Sequence, residues 1–173
     1  YLYYAENTGS VNLTQIAKAL SLSKATCTRA INDLSASGLI SQTAEGTNKW
    51  ITTAYTKSEL LEKAYGRLKT PVDRILYVKG TAQIEHPIAS GIRALARQSM
   101  IGVNDQDGAI AISKKEAAKI PPEDVCTKQY FEDFGGAVIE VWSYDPTILE
   151  GDGCVDDISL LLSMDNDPNE RVQ

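Results

Sequence analysis

The stretch from residue 12 to residue 40 limits the possible folds more than any other part of the chain. Two short runs of apolar residues have the spacing of a helix with one buried face: Leu13, Ile16, Ala17 and Leu20, then Cys27, Ala30, Ile31 and Leu34. Asn12, with Gln15 three residues later, has the pattern of a capping box, and Ser23 is suited to cap the second helix. Gly38 allows the left-handed exit that ends the second helix. The stretch therefore predicts a helix-turn-helix.

The second helix, over about residues 23–36, has a polar outward face. When its apolar residues point inward, the 100° step per residue turns small and basic side chains outward. These side chains are Lys24, Thr28, Arg29 and Asn32, with Thr26 near the N-terminal end. The next segment, SQTAEGTNKWITT over about residues 41–53, contains two extended runs around Glu45-Gly46. This pattern predicts a β-hairpin after the helix pair.

The segments LTQIAKAL, SKATCTRAINDL and SGLI resemble the DNA-binding core of MarR-like winged helix-turn-helix regulators. Thr28-Arg29 lie where that family usually has a Ser-Arg pair, and the resemblance covers about the first 65 residues. Two positions depart from the family pattern. Cys27 replaces the usual valine or other small apolar residue, and Lys49 is the only basic residue of the hairpin.

The resemblance implies a sequence-specific DNA-binding transcriptional regulator. Its recognition helix would lie in the major groove of double-stranded DNA, and the hairpin would form the wing. The residues expected to contact DNA are Lys24, Thr26, Thr28, Arg29, Asn32, Asn48 and Lys49. Because such proteins bind two half-sites as two-fold dimers, a homodimer is expected.

The net charge of −6 is distributed unevenly along the chain. Residues 1–79 contain ten Lys and Arg against six Asp and Glu, whereas the remaining residues contain seven against seventeen. This asymmetry is what we expect when only the N-terminal part meets phosphate and an acidic part repels it. The alternative is that solvated charges are distributed by chance.

The pattern of apolar residues predicts an α+β fold with two domains: a winged helix-turn-helix with its connecting helix over residues 1–70, and an acidic mixed domain over residues 75–173. Three further helices are predicted. The first has Leu60, Leu61, Ala64 and Leu68 on its apolar side, and the second has Ile88, Ile92, Leu95, Ala96 and Met100 at helical spacing. The third is the segment VDDISLLLSM, with Asp156 or Asp157 at its start. Predicted strands are ILYV, GAIAIS and GGAVIEVWSY.

The two ends of the sequence look cropped. The opening run YLYYA is predicted to be the end of a first helix, and DPNERVQ stops where a further helix could start. No run of about 18 apolar residues is present, so no membrane span is expected. With no leader pattern and three widely spaced cysteines, we expect a cytoplasmic protein without disulfides.

No motif for catalysis, metal binding or cofactor binding is recognisable, so no catalytic residue, metal or cofactor is predicted. The only histidine, His86, precedes a proline and is interpreted as a loop residue. Pro168 and the missing glycine break a calcium-loop pattern over residues 165–170. Cys27 could act as a redox switch, but its helical phase favours a buried apolar role.

Three hypotheses remain. The first is a DNA-binding regulator whose acidic domain senses a small-molecule effector, dimerises or does both. The second is an antitoxin-like autoregulatory protein, weakly similar to abortive-infection antitoxins, whose acidic C-terminal domain binds a protein partner. The third is an enzyme whose Asp and Glu residues converge from distant segments. We rank the regulator first and expect no enzymatic activity.

Overall fold

The computed structural model describes five parts of the chain: residues 1–4, 10–46, 48–80, 83–99 and 108–164. The chain divides into two compact units, Tyr1–Leu68 and Lys69–Gln173. The predicted domain boundary, between residues 70 and 75, lies next to this division. Both units combine helices with β-sheet, so the predicted α+β class is confirmed.

The first unit is a pair of helices followed by a β-hairpin and a third helix. Its elements are β1 (Val11–Asn12), α1 (Leu13–Ala19), α2 (Lys24–Ala36), β2 (Ser41–Glu45), β3 (Asn48–Thr52) and α3 (Lys57–Tyr65). The predicted caps are confirmed: Asn12 and Gln15 form a capping box on α1, and the Ser23 side chain accepts a hydrogen bond from the Thr26 amide. Gly38 takes the expected left-handed conformation, with φ of +74°.

One hydrophobic core holds this unit together. Its buried residues come from all three helices, the α2–β2 connection and β3: Ile16, Ala17, Cys27, Ile31, Leu39, Ile40, Ile51 and Leu60. Cys27 is only 2% exposed, which agrees with its interpretation as a small apolar core residue. Burial of these side chains is the main force that fixes α2 and the hairpin within one unit.

Strand β1 was not predicted. Val11 and Asn12 pair with Ile51 and Trp50, so β1 is the third strand of a sheet with the order β1-β3-β2. A strand of two residues is too short to show a period of two in the sequence. The run YLYYA was predicted to be the end of a helix, and its described residues 1–4 form a turn in which the Tyr4 amide donates to the Tyr1 carbonyl.

Helix α3 is shorter than predicted. It begins at a capping box between Thr56 and Glu59 and ends at Tyr65, so Leu68 lies beyond it. The Arg67 amide donates to the Ala64 carbonyl, an i to i+3 bond that tightens the last turn. Gly66 follows Tyr65 directly, and its low helix propensity favours the early end.

The second unit is a five-stranded mixed sheet with helices. Its elements are β4 (Val72–Val78), β5 (Ile88–Ala89), α4 (Gly91–Ser99), β6 (Ala109–Ser113), α5 (Lys114–Ala117), β7 (Val125–Cys126), α6 (Lys128–Phe134), β8 (Ala137–Trp142) and α7 (Asp157–Met164). The strand order is β5-β6-β8-β4-β7. Strands β6 and β8 are parallel, and the other described pairs are antiparallel. The three predicted strands correspond to β4, β6 and β8.

Strand β8 separates two hydrophobic clusters. Ile139 and Val141 belong to one cluster, and Trp142 belongs to the other, as expected for side chains that alternate across a sheet. Glu140 points to the same side as Trp142 and is only 8% exposed. Its Oε2 accepts hydrogen bonds from Ser90 Oγ at 2.6 Å and from Trp142 Nε1 at 2.9 Å. These bonds satisfy the carboxylate inside the core.

The predicted helix around Ile92 starts later than expected. Ile88 lies in β5, where it pairs with Ala111, and α4 begins at Gly91. Ser90 and Gly91 prevent the helix from starting earlier. The Ser90 amide donates a hydrogen bond to the Ala109 carbonyl, and Gly91 has φ of +54°, which is outside the helical region. Met100, also predicted on this helix, lies outside the described residues, as does the 165–170 segment.

Helix α7 has the predicted start, since the Asp156 side chain accepts a hydrogen bond from the Ser159 amide. Helices α5 and α6 and strands β5 and β7 were not predicted. His86 is exposed in a loop and has φ of +52°. Among the described helices, none is both long enough and apolar enough to cross a membrane.

Candidate nucleic-acid interface

Helix α2 has one buried face and one exposed face. Cys27 and Ile31 lie in the core, whereas Lys24, Arg29 and Asn32 are exposed. Ala30, predicted on the buried face, is exposed instead. It lies one residue from Ile31, so the 100° step places it at the solvent side of the apolar stripe.

The basic side chains of α2 and of the hairpin form no ion pair among the described residues. In the described part of the chain, Lys24, Arg29 and Lys49 have no carboxylate within ion-pair distance. By contrast, Lys114 in the second unit lies 2.7 Å from a carboxylate oxygen of Asp73. The cationic groups of α2 and of the hairpin are therefore available to phosphates or base edges.

The two threonines of α2 use their hydroxyls within the helix. Thr28 Oγ1 donates to the Lys24 carbonyl at 2.8 Å, which satisfies the hydroxyl donor and leaves the oxygen able to accept. Thr26 Oγ1 lies 2.9 Å from Ser23 Oγ, and its amide is bonded to the same atom. Thr26 therefore takes part in the hydrogen bonds of the Ser23 N-cap. Both threonines are half-buried.

Strands β2 and β3 form the predicted hairpin. They pair antiparallel from Ser41 opposite Thr52 to Glu45 opposite Asn48, and Gly46 at the tip has φ of +60°. Asn48 and Lys49 are both exposed. Since neighbouring side chains of a strand point to opposite faces, these two predicted contact residues lie on different faces of the hairpin.

A hydrogen bond joins the hairpin to α2. Gln42 Nε2 donates to Asn32 Oδ1 at 3.3 Å. Gln42 lies opposite Ile51, and Ile51 is fully buried against the helices, so both side chains point to the helix side of the sheet. Lys49 shares this face, and Asn48 does not. The predicted residues Lys24, Arg29, Asn32 and Lys49 are thus brought to the α2 side of the unit.

Gln42 was not among the residues predicted to lie at this surface. The alternation of side chains between the two faces of the hairpin could have identified it. Because paired residues share a face, the residue opposite the buried Ile51 must also face the helix. The register was needed to identify that partner, and the sequence alone did not provide it.

The second unit contains a cleft of about 240 Å³ lined by Gln83, Ile84, Glu85, Ile112, Glu116, Lys119 and Ile120. Its charged groups are engaged by the protein. Lys119 Nζ lies 3.5 Å from Glu85 Oε2, and Glu116 caps the α5 helix with Ser113. Among the described residues, no group of three or more His, Cys, Asp and Glu side chains is placed to hold a metal ion.

Among the described residues of the second unit, Tyr144 has a shifted pKa. Burial raises the pKa of its hydroxyl, and the nearby charge of Asp156 acts in the same direction. A hydrogen bond of 2.6 Å to Ser159 Oγ opposes this effect. The group is a phenol whose hydroxyl is hydrogen-bonded to Ser159 and lies near the Asp156 carboxylate.

The comparisons with known proteins agree with the geometry of the first unit. The family model described as "MarR family" matches residues 1–49, which include α1, α2 and most of the hairpin. The N-terminal region is a MarR-like winged helix-turn-helix. In this region α2 is the second helix of the helix-turn-helix, and the β2–β3 hairpin follows it. The match implies a transcription regulator that binds DNA. No curated protein and no solved structure matches the chain.

Proposed function

We propose that the chain is a sequence-specific transcriptional regulator that inserts α2 into the major groove of double-stranded DNA. The observation that carries this proposal is the outward face of α2. Lys24, Arg29 and Asn32 are exposed there on a helix whose opposite face is fixed in the core. A helix that is already fixed in the core favours recognition because its backbone loses little conformational entropy on binding.

Each side chain has a distinct proposed role. Arg29, one turn into the helix, is suited to a bidentate contact with guanine O6 and N7. Lys24 lies at the start of α2 and is suited to a phosphate, since its ammonium group is a point charge. Asn32 is suited to a base edge, and Lys49, on the α2 side of the hairpin, extends the contacts to the backbone beside the groove. Thr28 offers its methyl group and an acceptor.

The acidic charge of the second unit favours DNA binding by the first unit alone. Residues 80–173 contain seven basic against seventeen acidic side chains, and an excess of negative charge repels duplex DNA. Such a unit orients the basic region toward DNA. We propose that it serves dimerisation or sensing, and that two chains bind two half-sites related by a two-fold axis.

Binding selection followed by salt titration tests the proposal. The full chain is used to enrich duplexes from a random pool, and fluorescence anisotropy then measures the affinity at several salt concentrations. Lys24→Ala is expected to weaken all sequences alike and to lower the salt slope by about one unit. Lys63→Ala, the same charge change on α3, is the matched control and is expected to leave the slope unchanged.

Two results would contradict the proposal. The first is a wild-type chain that enriches no sequence. The second is a Lys63→Ala variant that loses as much affinity as Lys24→Ala, because the measured electrostatic attraction would then not come from the recognition helix.

A further inference from the structure

The hydrogen bond between Gln42 and Asn32 links the wing to the recognition helix at the exposed surface. Gln42 Nε2 is the donor, Asn32 Oδ1 is the acceptor, and the two atoms are 3.3 Å apart. Asn32 is exposed, and Gln42 is half-buried. The bond joins residues that are ten positions apart, one on a helix and one on a strand.

An asparagine amide has two chemically different ends. Its carbonyl oxygen accepts hydrogen bonds, and its NH2 group donates two. An amide that rotates freely can present either end to a base. In Asn32 the oxygen is turned toward the wing, so the Nδ2 group is turned away from Gln42.

We propose that Gln42 is a positioning residue that fixes the side-chain amide of Asn32, so that Asn32 presents hydrogen-bond donors to an acceptor-bearing base edge. This inference rests on the proposed insertion of α2 into the major groove. Guanine presents two acceptors there, O6 and N7, whereas cytosine presents an N4 donor. A fixed pair of donors therefore favours guanine over cytosine at one position of the half-site.

Gln42 is held firmly enough for this role. Strands β2 and β3 pair over five residues on each strand, and Gln42 lies opposite Ile51, which is 0% exposed. A slip of one residue would flip one of the two strands, so that either Ile51 would be exposed or Gln42 would turn away from α2, and burial of Ile51 opposes the first of these. Asn32 lies in the third turn of α2, away from the fraying ends of the helix.

The test measures base preference with the full chain. Duplexes carrying each base at each position of the selected half-site are titrated against wild type, Asn32→Ala, Gln42→Ala and the double variant. Gln42→Ala is expected to lower the discrimination between bases about three- to tenfold at a single position, which is the worth of one hydrogen bond. Asn32→Ala should affect the same position, and the double variant should lose no more than Asn32→Ala alone.

A second variant reverses the amide. The carboxylate in Gln42→Glu only accepts hydrogen bonds, so Asn32 must turn its Nδ2 toward the wing and its oxygen toward DNA. The preferred base at that position should then change to one that presents a donor. Thr43→Glu is the matched control, because Thr43 is exposed on the other face of the same strand. It adds the same charge and should weaken all sequences alike without changing the preference.

The outcomes separate this inference from the function on which it rests. If the wild-type chain selects no sequence, the proposed function fails. If the wild-type chain selects a sequence but Gln42→Ala keeps the full preference, or changes it at a position that Asn32→Ala does not affect, only the positioning role is overturned. Circular dichroism and thermal unfolding of each variant show that the helix-turn-helix remains folded.

Discussion

Replacing Glu140 by leucine should destabilise the second unit strongly. Glu140 Oε2 accepts two hydrogen bonds, from Ser90 Oγ and Trp142 Nε1, and both donor residues are 0% exposed. Leucine has a similar size but no acceptor, so Glu140→Leu leaves two buried donors unpaired. Each such donor costs about 1–3 kcal/mol, so the free energy of unfolding should fall by about 2–6 kcal/mol.

Urea denaturation followed by the fluorescence of Trp142 measures this loss. A Trp50→Phe background removes the only other tryptophan, so the signal reports the second unit. Glu140→Gln is the matched control. Its amide oxygen can accept the same two hydrogen bonds, and the loss should be clearly smaller than for Glu140→Leu. Equal stability of Glu140→Leu and wild type would refute the claim that Glu140 satisfies these donors.

Three further predictions concern local structure. Ser23→Ala removes the N-cap of α2 and should cost about 1 kcal/mol of stability, measured by thermal unfolding; an unchanged midpoint would show that the cap contributes nothing. Because burial raises the pKa of Tyr144, the neutral form is favoured in the folded state, so stability should be lost as the pH rises through that raised pKa. Ultraviolet titration should show a still higher pKa in Ser159→Ala, which removes the hydrogen bond that lowers it, and a lower pKa there would contradict the assignment. Gly136→Ala should destabilise by more than about 1 kcal/mol, because φ is +146° and a Cβ would collide with a backbone carbonyl of β4; Gly66→Ala, with open space around it, should not, and equal urea midpoints for the two variants would be inconsistent with this geometry.

The helix pair could be predicted because its signals are local. The caps at Asn12 and Ser23, the exit at Gly38 and the buried face of α2 all depend on residues within a few positions of each other. Helical spacing alone could not place Ala30 correctly. The edge of an apolar stripe depends on what packs against it, and that information comes from the tertiary structure.

The second unit was harder to predict because its elements depend on distant partners. Ile88 continues the apolar pattern of α4 in sequence, but its pairing with Ala111 draws it into β5. Strand β8 was predicted from its apolar run. The burial of Glu140 within it depends on hydrogen bonds donated by Ser90, which follows β5, and by Trp142. Pairing and burial of this kind are tertiary effects that override local propensity.

The candidate site likewise combines residues that local signals predict with one that only the tertiary structure identifies. Lys24, Arg29 and Asn32 were identified by helical phase alone, because the buried face of α2 determines which side chains point outward. The partner of Asn32 could not be identified in that way. Gln42 reaches Asn32 only because the hairpin register places it opposite Ile51.

The measurement that tests the central claim most directly is the base preference of an Arg29→Ala variant of the full chain. If α2 reads the major groove, this variant should lose about 1–3 kcal/mol of binding free energy on the selected duplex. Its preference should relax at a single position of each half-site, whereas Lys24→Ala should keep the wild-type preference while binding every duplex more weakly. Unchanged affinity and preference in an Arg29→Ala variant that is folded would contradict the assignment of α2 as the recognition helix.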